Sequence, residues 1–341
     1  MKKFLEEWYP QQGILMAMPH ENTDWNYILK EAQTQYLRIL KEITAKGIKV
    51  YLLCHNLEQI KELCTSAKIE NIIYIEMPFN DTWTRDYGPL CVKENKELKI
   101  LDFGFNGWGL KFASDKDNLV NLYLKDRGFF QKEKYINQRD YILEGGSVET
   151  DGKGTILTTT RCLCSPNRNG GLSKEEVYRQ LKERLGIKKV LFLDYGFLLG
   201  DDTDSHIDTL ARIIPDNKIL YVGCHDSLNP HYEELLKMKN QLSSFLNERN
   251  EKFELFELPL PDAIYDENGE YLPATYANFL ISGSFIFMPV YNQEKKDREA
   301  ICVMEEACPD YEIIPVDCTT LIKQHGSLHC ATMQLPMGIF S

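Results

Sequence analysis

Between positions 146 and 151 apolar and polar residues alternate, Asp151-Gly152-Lys153-Gly154 interrupts them, and a β-branched run resumes over 155–160. Period two on both sides of a glycine turn predicts a β-hairpin. The period then changes. Ser173-Lys174-Glu175-Glu176 has the form of a capping box and opens a helix that Gly186 ends. A short apolar run at 190–193 reads as a buried strand. The order is strand, strand, helix, strand.

The same order recurs along the chain. Segments 207–214 and 218–222 flank Asp216-Asn217, a helix is predicted over 230–249, and 253–258 is extended. Segments 278–282 and 285–290 flank Gly283-Ser284, a helix over 294–307 stops before Pro309, and 312–316 is extended. An earlier copy runs through strands at 83–92 and 98–103 and a helix near 117–127. Copies begin roughly 50–70 residues apart, longer than most short solenoid repeats.

The last strand, 328–334, has no helix after it, and the N-terminus supplies one. Segment 14–18 reads as a strand. Thr23 or Asp24 caps a helix whose apolar positions are Ile28, Ala32, Tyr36, Leu40 and Ile43, and Gly47 ends it ahead of a strand at 50–53. Joining the termini completes a fifth unit, and a closed ring has no open edges. The expectation is a single α/β domain over 1–341, built from five ββαβ units. An open mixed α/β sheet with hairpin insertions has the same element order.

Composition narrows the class. The chain has 341 residues with 43% hydrophobic and 26% charged, ordinary for a globular protein. Its 51 acidic residues against 39 basic give a formal charge of −12, a poor basis for gripping nucleic-acid phosphates and a better one for a small cation. The longest apolar stretch, 279–290, is broken by Ser282, Gly283 and Ser284 and is shorter than the ~20 residues a membrane span needs. Glu6 and Glu7 follow Lys2 and Lys3 at once, so the start lacks the apolar core of a secretory leader. The ten cysteines are scattered without CxxC spacing, which suggests reduced thiols and a cytoplasmic protein.

Polar residues that look misplaced fall at the starts of the units. Trp83-Thr84-Arg85-Asp86-Tyr87-Gly88-Pro89 sets Arg and Asp among aromatics, and Leu143-Glu144-Gly145-Gly146 sets a carboxylate before two glycines. Four acids crowd His206 between Asp201 and Asp208, and Gly326-Ser327-Leu328-His329-Cys330 ends in a thiol on a short strand. In a closed pseudosymmetric ring, Asp86, Glu144, His206, Asp208 and Cys330 would meet near the axis. Each has a plainer reading: an Arg85–Asp86 ion pair, a turn cap at Glu144, an inert core thiol at Cys330. If the segment is extended, His206 and Asp208 share a face. Neither zinc nor EF-hand calcium spacing is present, so no metal is expected. A thiol, an imidazole and surplus carboxylates suit a planar cation with several N–H donors. A guanidinium fits that description, because two carboxylates can each take a forked pair of its hydrogen bonds.

These motifs together resemble agmatine deiminases of the guanidino-group-modifying superfamily, in the branch that also holds bacterial peptidyl-arginine deiminases. The resemblance runs through Met18-Pro19-His20-Glu21-Asn22-Thr23-Asp24-Trp25, the WTRDYGP segment from Trp83, Phe103-Gly104-Phe105-Asn106-Gly107-Trp108-Gly109, and EGGS from Glu144. It continues through Pro166-Asn167-Arg168-Asn169, the DDTDSHIDTLAR run and the GSLHC end, and so covers nearly the whole chain. It implies a five-bladed α/β propeller, the pentein fold. Cys330 is implied as the nucleophile that forms a covalent amidino-thioether, with His206 as general acid and base. Asp86 and Asp208 are implied as the guanidinium-binding pair and Glu144 as the carboxylate that orients and charges His206. Trp83 is placed as a wall of the slot for the alkyl chain. The implied reaction is hydrolysis of agmatine to N-carbamoylputrescine and ammonia, toward putrescine, without metal or organic cofactor. A homodimer is compatible with the resemblance, although no surface stripe fixes an interface.

One departure stands out. Many agmatine deiminases carry three glycines before the catalytic segment, where this chain has Gln324-His325-Gly326-Ser327. Glycine reaches backbone shapes that histidine does not reach easily, so the pocket lip is expected to differ. Two other functions stay open at this point. One is the same chemistry on free or peptidyl arginine, which an Arg in the pocket would favour by pairing an α-carboxylate. The other is a catalytically silent propeller serving as a binding scaffold, which need not keep the full set of five residues.

Overall fold

The same three-stranded pattern is built five times, each time as an antiparallel pair followed by a parallel strand across a helix. The computed structural model describes residues 2–340. The first blade joins Leu90–Glu94, Glu97–Gly104 and Tyr135–Ile142, with Lys2–Phe4 added on its free edge. The second joins Val148–Thr150, Thr155–Thr159 and Lys189–Leu193. The third joins Ala211–Ile214, Lys218–Gly223 and Glu254–Pro259, and the fourth Leu280–Ser282, Phe285–Val290 and Glu312–Asp317.

The fifth blade closes the ring. Met333–Pro336 pairs antiparallel with Gln11–Ala17, with Met333 opposite Leu15, and Gln11–Ala17 runs parallel to Val50–Cys54. Ile72–Glu76 adds a further parallel strand that the repeat pattern does not require. The chain is a five-bladed α/β propeller, the fold that the resemblance implied, and not the open mixed sheet that the element order also allowed.

Side-chain spacing explains the helices. Lys174–Leu185 buries Val177, Leu181 and Leu185, one per turn. Ser173 and Glu176 form the reciprocal capping box, and Gly186 ends the helix at φ +75°. Glu294–Ala307 buries Ala300, Met304 and Ala307 in the same way. Leu29–Ala45 packs Ala32, Tyr36, Ile39, Leu40 and Ile43 inward, and a separate turn of 3-10 helix, Asp24–Ile28, precedes it. Each fully buried Leu or Ile contributes roughly 1.5–3 kcal/mol.

Four expectations need correction. Segment 83–92 is not one strand: Thr84–Tyr87 is a helical turn, and extension begins at Leu90. Segment 207–214 likewise opens with the 3-10 turn Ile207–Thr209, so His206 and Asp208 are not on the face of an extended strand. Cys330 lies in a turn, not on a strand, and the last strand begins at Met333. The helix expected to reach residue 249 ends at Ser244. The first three share a cause. At the mouth of the ring the chain makes a tight turn that aims a polar side chain inward before it enters the blade. Thr84 secures one such turn by donating Oγ1–H to Leu15 and Ala331 carbonyls, and Thr209 secures another by donating to the His206 carbonyl.

Candidate active site

The turns at the blade entrances bring Asp86, Glu144, His206, Asp208 and Cys330 together, and all five are buried. The Thr84–Tyr87 turn is tied directly to the thiol segment, because the Arg85 N–H donates to the Cys330 carbonyl at 3.1 Å. Arg85 does not pair with Asp86. Its guanidinium lies 3.3 Å from Glu7 and also donates to Gln334, which leaves the Asp86 carboxylate free for the site. Asp86 accepts the Trp108 indole N–H at 2.8 Å and the Gly146 backbone N–H at 2.9 Å.

His206 lies between two carboxylates. Its Nδ1 is 3.6 Å from Asp86 Oδ1, and its Nε2 is 3.5 Å from Glu144 Oε2. Both ring nitrogens are buried without a hydrogen-bond partner. Burial alone would depress its pKa, but Asp86, Cys162 and Glu144 outweigh it and raise the imidazole well above its usual value. Burial also pushes Asp86 up, to about 6, against the pull of His206 and with Asp208 and Glu144 adding to the rise.

Asp208 is anchored from behind. Its Oδ2 accepts from His329 Nδ1 at 2.7 Å, while Oδ1 is buried and unpartnered. Burial opposes its ionisation, but His329, then His206 and Arg212, hold its carboxyl below the ordinary range. Arg212 lies 2.5 Å from both Glu7 and Glu149 and 3.0 Å from His329 Nε2. Burial and the Arg212 and Arg85 cations depress the His329 pKa, against the pull of Glu7 at Nε2 and Asp208 at Nδ1.

The thiol is held protonated. Cys330 Sγ is 3.4 Å from Asn278 Oδ1 and 3.9 Å from Asp208 Oδ2. Burial, then Asp208 and Asp86, push its pKa well above the ordinary value. The space among these groups is defined by Gly146. A Cβ there would lie 2.7 Å from His206 Nδ1, 2.8 Å from Asp86 Oδ1 and 2.9 Å from Asp208 Oδ2. The glycine thus keeps open the place where three polar atoms converge.

Above the thiol a pocket is lined by Trp83, Trp108 and Phe112 and by Asp24, Asp81 and Asp202. No Lys or Arg is among the described residues that line it. Burial and the neighbouring Asp117 carry Asp81 well above the ordinary carboxyl range, and burial brings Asp202 to about 6. Gly326 is forced by Trp83, whose ring a Cβ would meet at 2.4 Å. His325 takes the left-handed conformation, φ +64°, and its Nδ1 donates to the Gly200 carbonyl at 2.7 Å.

Among the described residues, two trios of possible metal ligands come within 4.8 Å: Glu144 with Cys162 and His206, and Glu7 with Glu149 and His329. An arginine already neutralises each, Arg168 in the first and Arg212 in the second, and competes with any cation there. Residues that sequence reasoning missed include Trp108, Arg168, Asn278 and His329. Trp108 and Arg168 stood inside quoted motifs without a role, and their partners lie far away in the chain.

The arrangement can bind a planar cation between two carboxylates, within reach of a thiol and a charged imidazole. Known proteins share this sequence pattern and fold. The sequence profile described as Porphyromonas-type peptidyl-arginine deiminase matches residues 3–336. A Legionella pneumophila protein with the provisional name agmatine deiminase is 34% identical over 335 residues, 97% of this chain and 93% of its own length. An agmatine deiminase of C. jejuni, solved as a Cys-to-Ser variant with substrate bound, superposes with a TM-score of 0.91 at 37% identity, covering 99% of this chain and 97% of that one. An agmatine deiminase of Enterococcus faecalis gives 0.87 at 27% identity, covering 98% and 96%. By sequence along nearly its whole length and by fold, this chain belongs to the Porphyromonas-type peptidyl-arginine deiminase family.

Proposed function

We propose that the protein hydrolyses agmatine to N-carbamoylputrescine and ammonia, with Cys330 as nucleophile, His206 as acid and base, and Asp86 and Asp208 as the guanidinium-binding pair. The observation that carries the substrate assignment is the acidic and aromatic pocket above Cys330, which offers carboxylates to an ammonium tail and no cation to a carboxylate tail. Trp83 and Trp108 wall the alkyl chain, and Asp24, Asp81 and Asp202 face the amine end.

The electrostatics suggest how the thiol ionises. His206 makes no bond to it, so no base stands ready. Burial, with the negative charge of Asp208 and Asp86, keeps the thiol neutral, and a guanidinium paired with both carboxylates offsets part of that charge. As the guanidinium enters, the thiol proton passes to water; the thiolate attacks the guanidinium carbon, forming a C–S bond while the C=N π pair moves onto nitrogen. His206 gives its proton to the departing nitrogen, the C–N bond breaks, and ammonia leaves an S-alkylthiouronium. Neutral His206 next takes a proton from water, whose oxygen adds to the same carbon. Collapse breaks the C–S bond and releases the ureido product.

The five blades act as one catalytic unit in this reading, and the product lies on the way to putrescine. Ten unpaired cysteines fit a reducing, cytoplasmic setting. A colorimetric assay for ureido product, run side by side on agmatine, arginine and a blocked peptidyl-arginine, tests the proposal. Turnover of agmatine above the other two is the expected result. A preference for arginine overturns the substrate, and no turnover of any of the three by folded protein overturns the chemistry.

A further inference from the structure

Arg168 lies deep beside the site, on the one-turn helix Pro166–Asn169, with a fully buried side chain. Its Nε is 2.8 and 3.0 Å from the two oxygens of Glu144. Its Nη1 donates to Asp204 Oδ2 and its Nη2 to the Thr203 carbonyl, both at 2.6 Å. The loop that supplies these acceptors is bent to do so, with Asp204 and Ser205 at φ +68° and +64°. Asp204 is held in turn by Lys111 Nζ at 2.7 Å. A continuous line of charges therefore runs from Lys111 through Asp204, Arg168 and Glu144 to His206.

We propose that Arg168 is a positioning residue for deimination, holding Glu144 as a carboxylate against His206 so that the imidazole carries the proton needed by the leaving nitrogen. This rests on the function proposed above and adds a residue to it. Two physical facts support it. First, an unpaired buried carboxyl takes up a proton, and burial does oppose ionisation of Glu144. Arg168 is the main group that overcomes it, followed by His206. Second, the carboxylates facing His206 are Asp86, Asp208 and Glu144, with the Cys162 thiol, its pKa raised by burial, beside them, and Arg168 bears directly on Glu144. Loss of the Glu144 charge removes one of the flanking anions, and the His206 pKa falls. A lysine cannot replace Arg168, because one ammonium cannot reach Glu144, Asp204 and the Thr203 carbonyl in a fixed plane.

The test compares agmatine turnover against pH for wild type, Arg168→Gln, Arg168→Lys, Glu144→Gln and the double variant Arg168→Gln/Glu144→Gln. Arg168→Gln is expected to lose ~10²-fold or more in kcat, the scale of general acid–base catalysis, with KM nearly unchanged. Its alkaline limb moves to lower pH, and Arg168→Lys recovers only part of the rate. In the Glu144→Gln background the Arg168 change adds less than about 3-fold, because residues acting through one another are not additive. An alkaline limb unmoved in Arg168→Gln, or a full further loss in the double variant, overturns the proposal. Thermal melts report folding. If Arg168→Gln alone does not fold, the double variant, which removes both buried charges together, decides by the same criterion. Inactivity of wild type on agmatine would fault the proposed function instead. Nitrogen NMR of His206 then still reads the inference: its pKa drops in Arg168→Gln if Arg168 acts as described and stays put if it does not.

Discussion

Trp108 donates its indole N–H to Asp86 Oδ2 at 2.8 Å from a left-handed turn. Gly107, Trp108, Gly109 and Leu110 have φ of +68°, +54°, +83° and +69° in succession. For the two non-glycine residues this costs ~1–2 kcal/mol each. Asn106 holds the turn by accepting the Gly109 N–H at 3.0 Å and donating to the Asn167 carbonyl at 2.8 Å. At Gly107 a Cβ would strike the Phe112 carbonyl at 2.2 Å. The strain serves the donor: it places the indole over the carboxylate and lowers the Asp86 pKa toward useful values.

Trp108→Phe keeps the packing and removes that donor. A hydrogen bond to a charged group contributes ~1.5–3 kcal/mol, so kcat/KM for agmatine should fall at least ~10-fold at neutral pH. Asp86 must be ionised to take the guanidinium, and burial already sets its pKa at about 6. Wild-type kcat/KM, which reports the free enzyme, should therefore decline as pH falls through that value. In Trp108→Phe the same decline should begin at higher pH. An acid limb that does not move would show that the indole does not tune Asp86.

Asp86→Asn should abolish turnover yet stabilise the fold. The sign follows from linkage. A carboxyl with a raised folded-state pKa binds protons more tightly when folded, so its ionisation costs stability as pH rises above the unfolded value. An amide carries no such cost; its one oxygen keeps one of the two donors, Trp108 on Oδ2 or Gly146 on Oδ1, and the loss of the other bond offsets part of the gain. The melting temperature at pH 8 should rise, and the gain should vanish near pH 4, where Asp86 is protonated in wild type. A lower melting temperature at pH 8 would contradict the charge balance described for the site.

Asp208→Asn should move thiol reactivity and turnover in opposite directions. The Asp208 charge helps keep Cys330 protonated, so removing it lowers the thiol pKa. Iodoacetamide should alkylate Cys330 faster at pH 7.5 in the variant, since the thiolate is the reactive form. Agmatine turnover should fall because one of the two carboxylates proposed to hold the guanidinium is gone. Cys330→Ser provides the control, with no turnover and substrate binding retained by calorimetry. Slower alkylation in Asp208→Asn would place the thiol's suppression elsewhere.

Much of this was legible in the sequence where the signal is local. The capping box at Ser173 and Glu176, the glycine stop at Gly186 and the helix Glu294–Ala307 are set by residues within a few positions of one another. The closing blade could be read because the C-terminal segment alone lacks a following helix and strand, and the N-terminal segment supplies both. The turns at Thr84–Tyr87 and Ile207–Thr209 were not legible. Their aromatic and β-branched residues favour extension, and tertiary bonds such as Thr84 to Leu15 and Ala331 override that preference. Trp108, Arg168 and His329 escaped for a related reason. Their partners Asp86, Glu144 and Asp208 lie 22, 24 and 121 positions away, and no periodicity records such distances.

The lip of the pocket yields a prediction about the substrate's tail. His325 replaces a glycine expected from the resemblance, and it holds φ +64° by donating Nδ1–H to the Gly200 carbonyl. Beside it, burial raises Asp202 to about 6, and His325 is the leading group that opposes the rise. If Asp202 takes the ammonium of agmatine, KM should increase as pH falls through about 6, while kcat, set around Cys330, stays nearly constant. Asp202→Asn should raise KM ~10-fold at pH 8, the order of one charge-assisted hydrogen bond, and make the rise in KM shallower, leaving only the part that Asp86 sets. His325→Gly relieves ~1 kcal/mol of backbone strain and gives up a hydrogen bond of similar size, so its melting temperature should hardly move. Without His325 opposing it, the Asp202 pKa climbs, and the rise in KM should begin at higher pH than in wild type. Steady-state kinetics from pH 5 to 9 on the three proteins separates these effects. A fall in kcat at unchanged KM in Asp202→Asn would move Asp202 from the tail to the reacting centre.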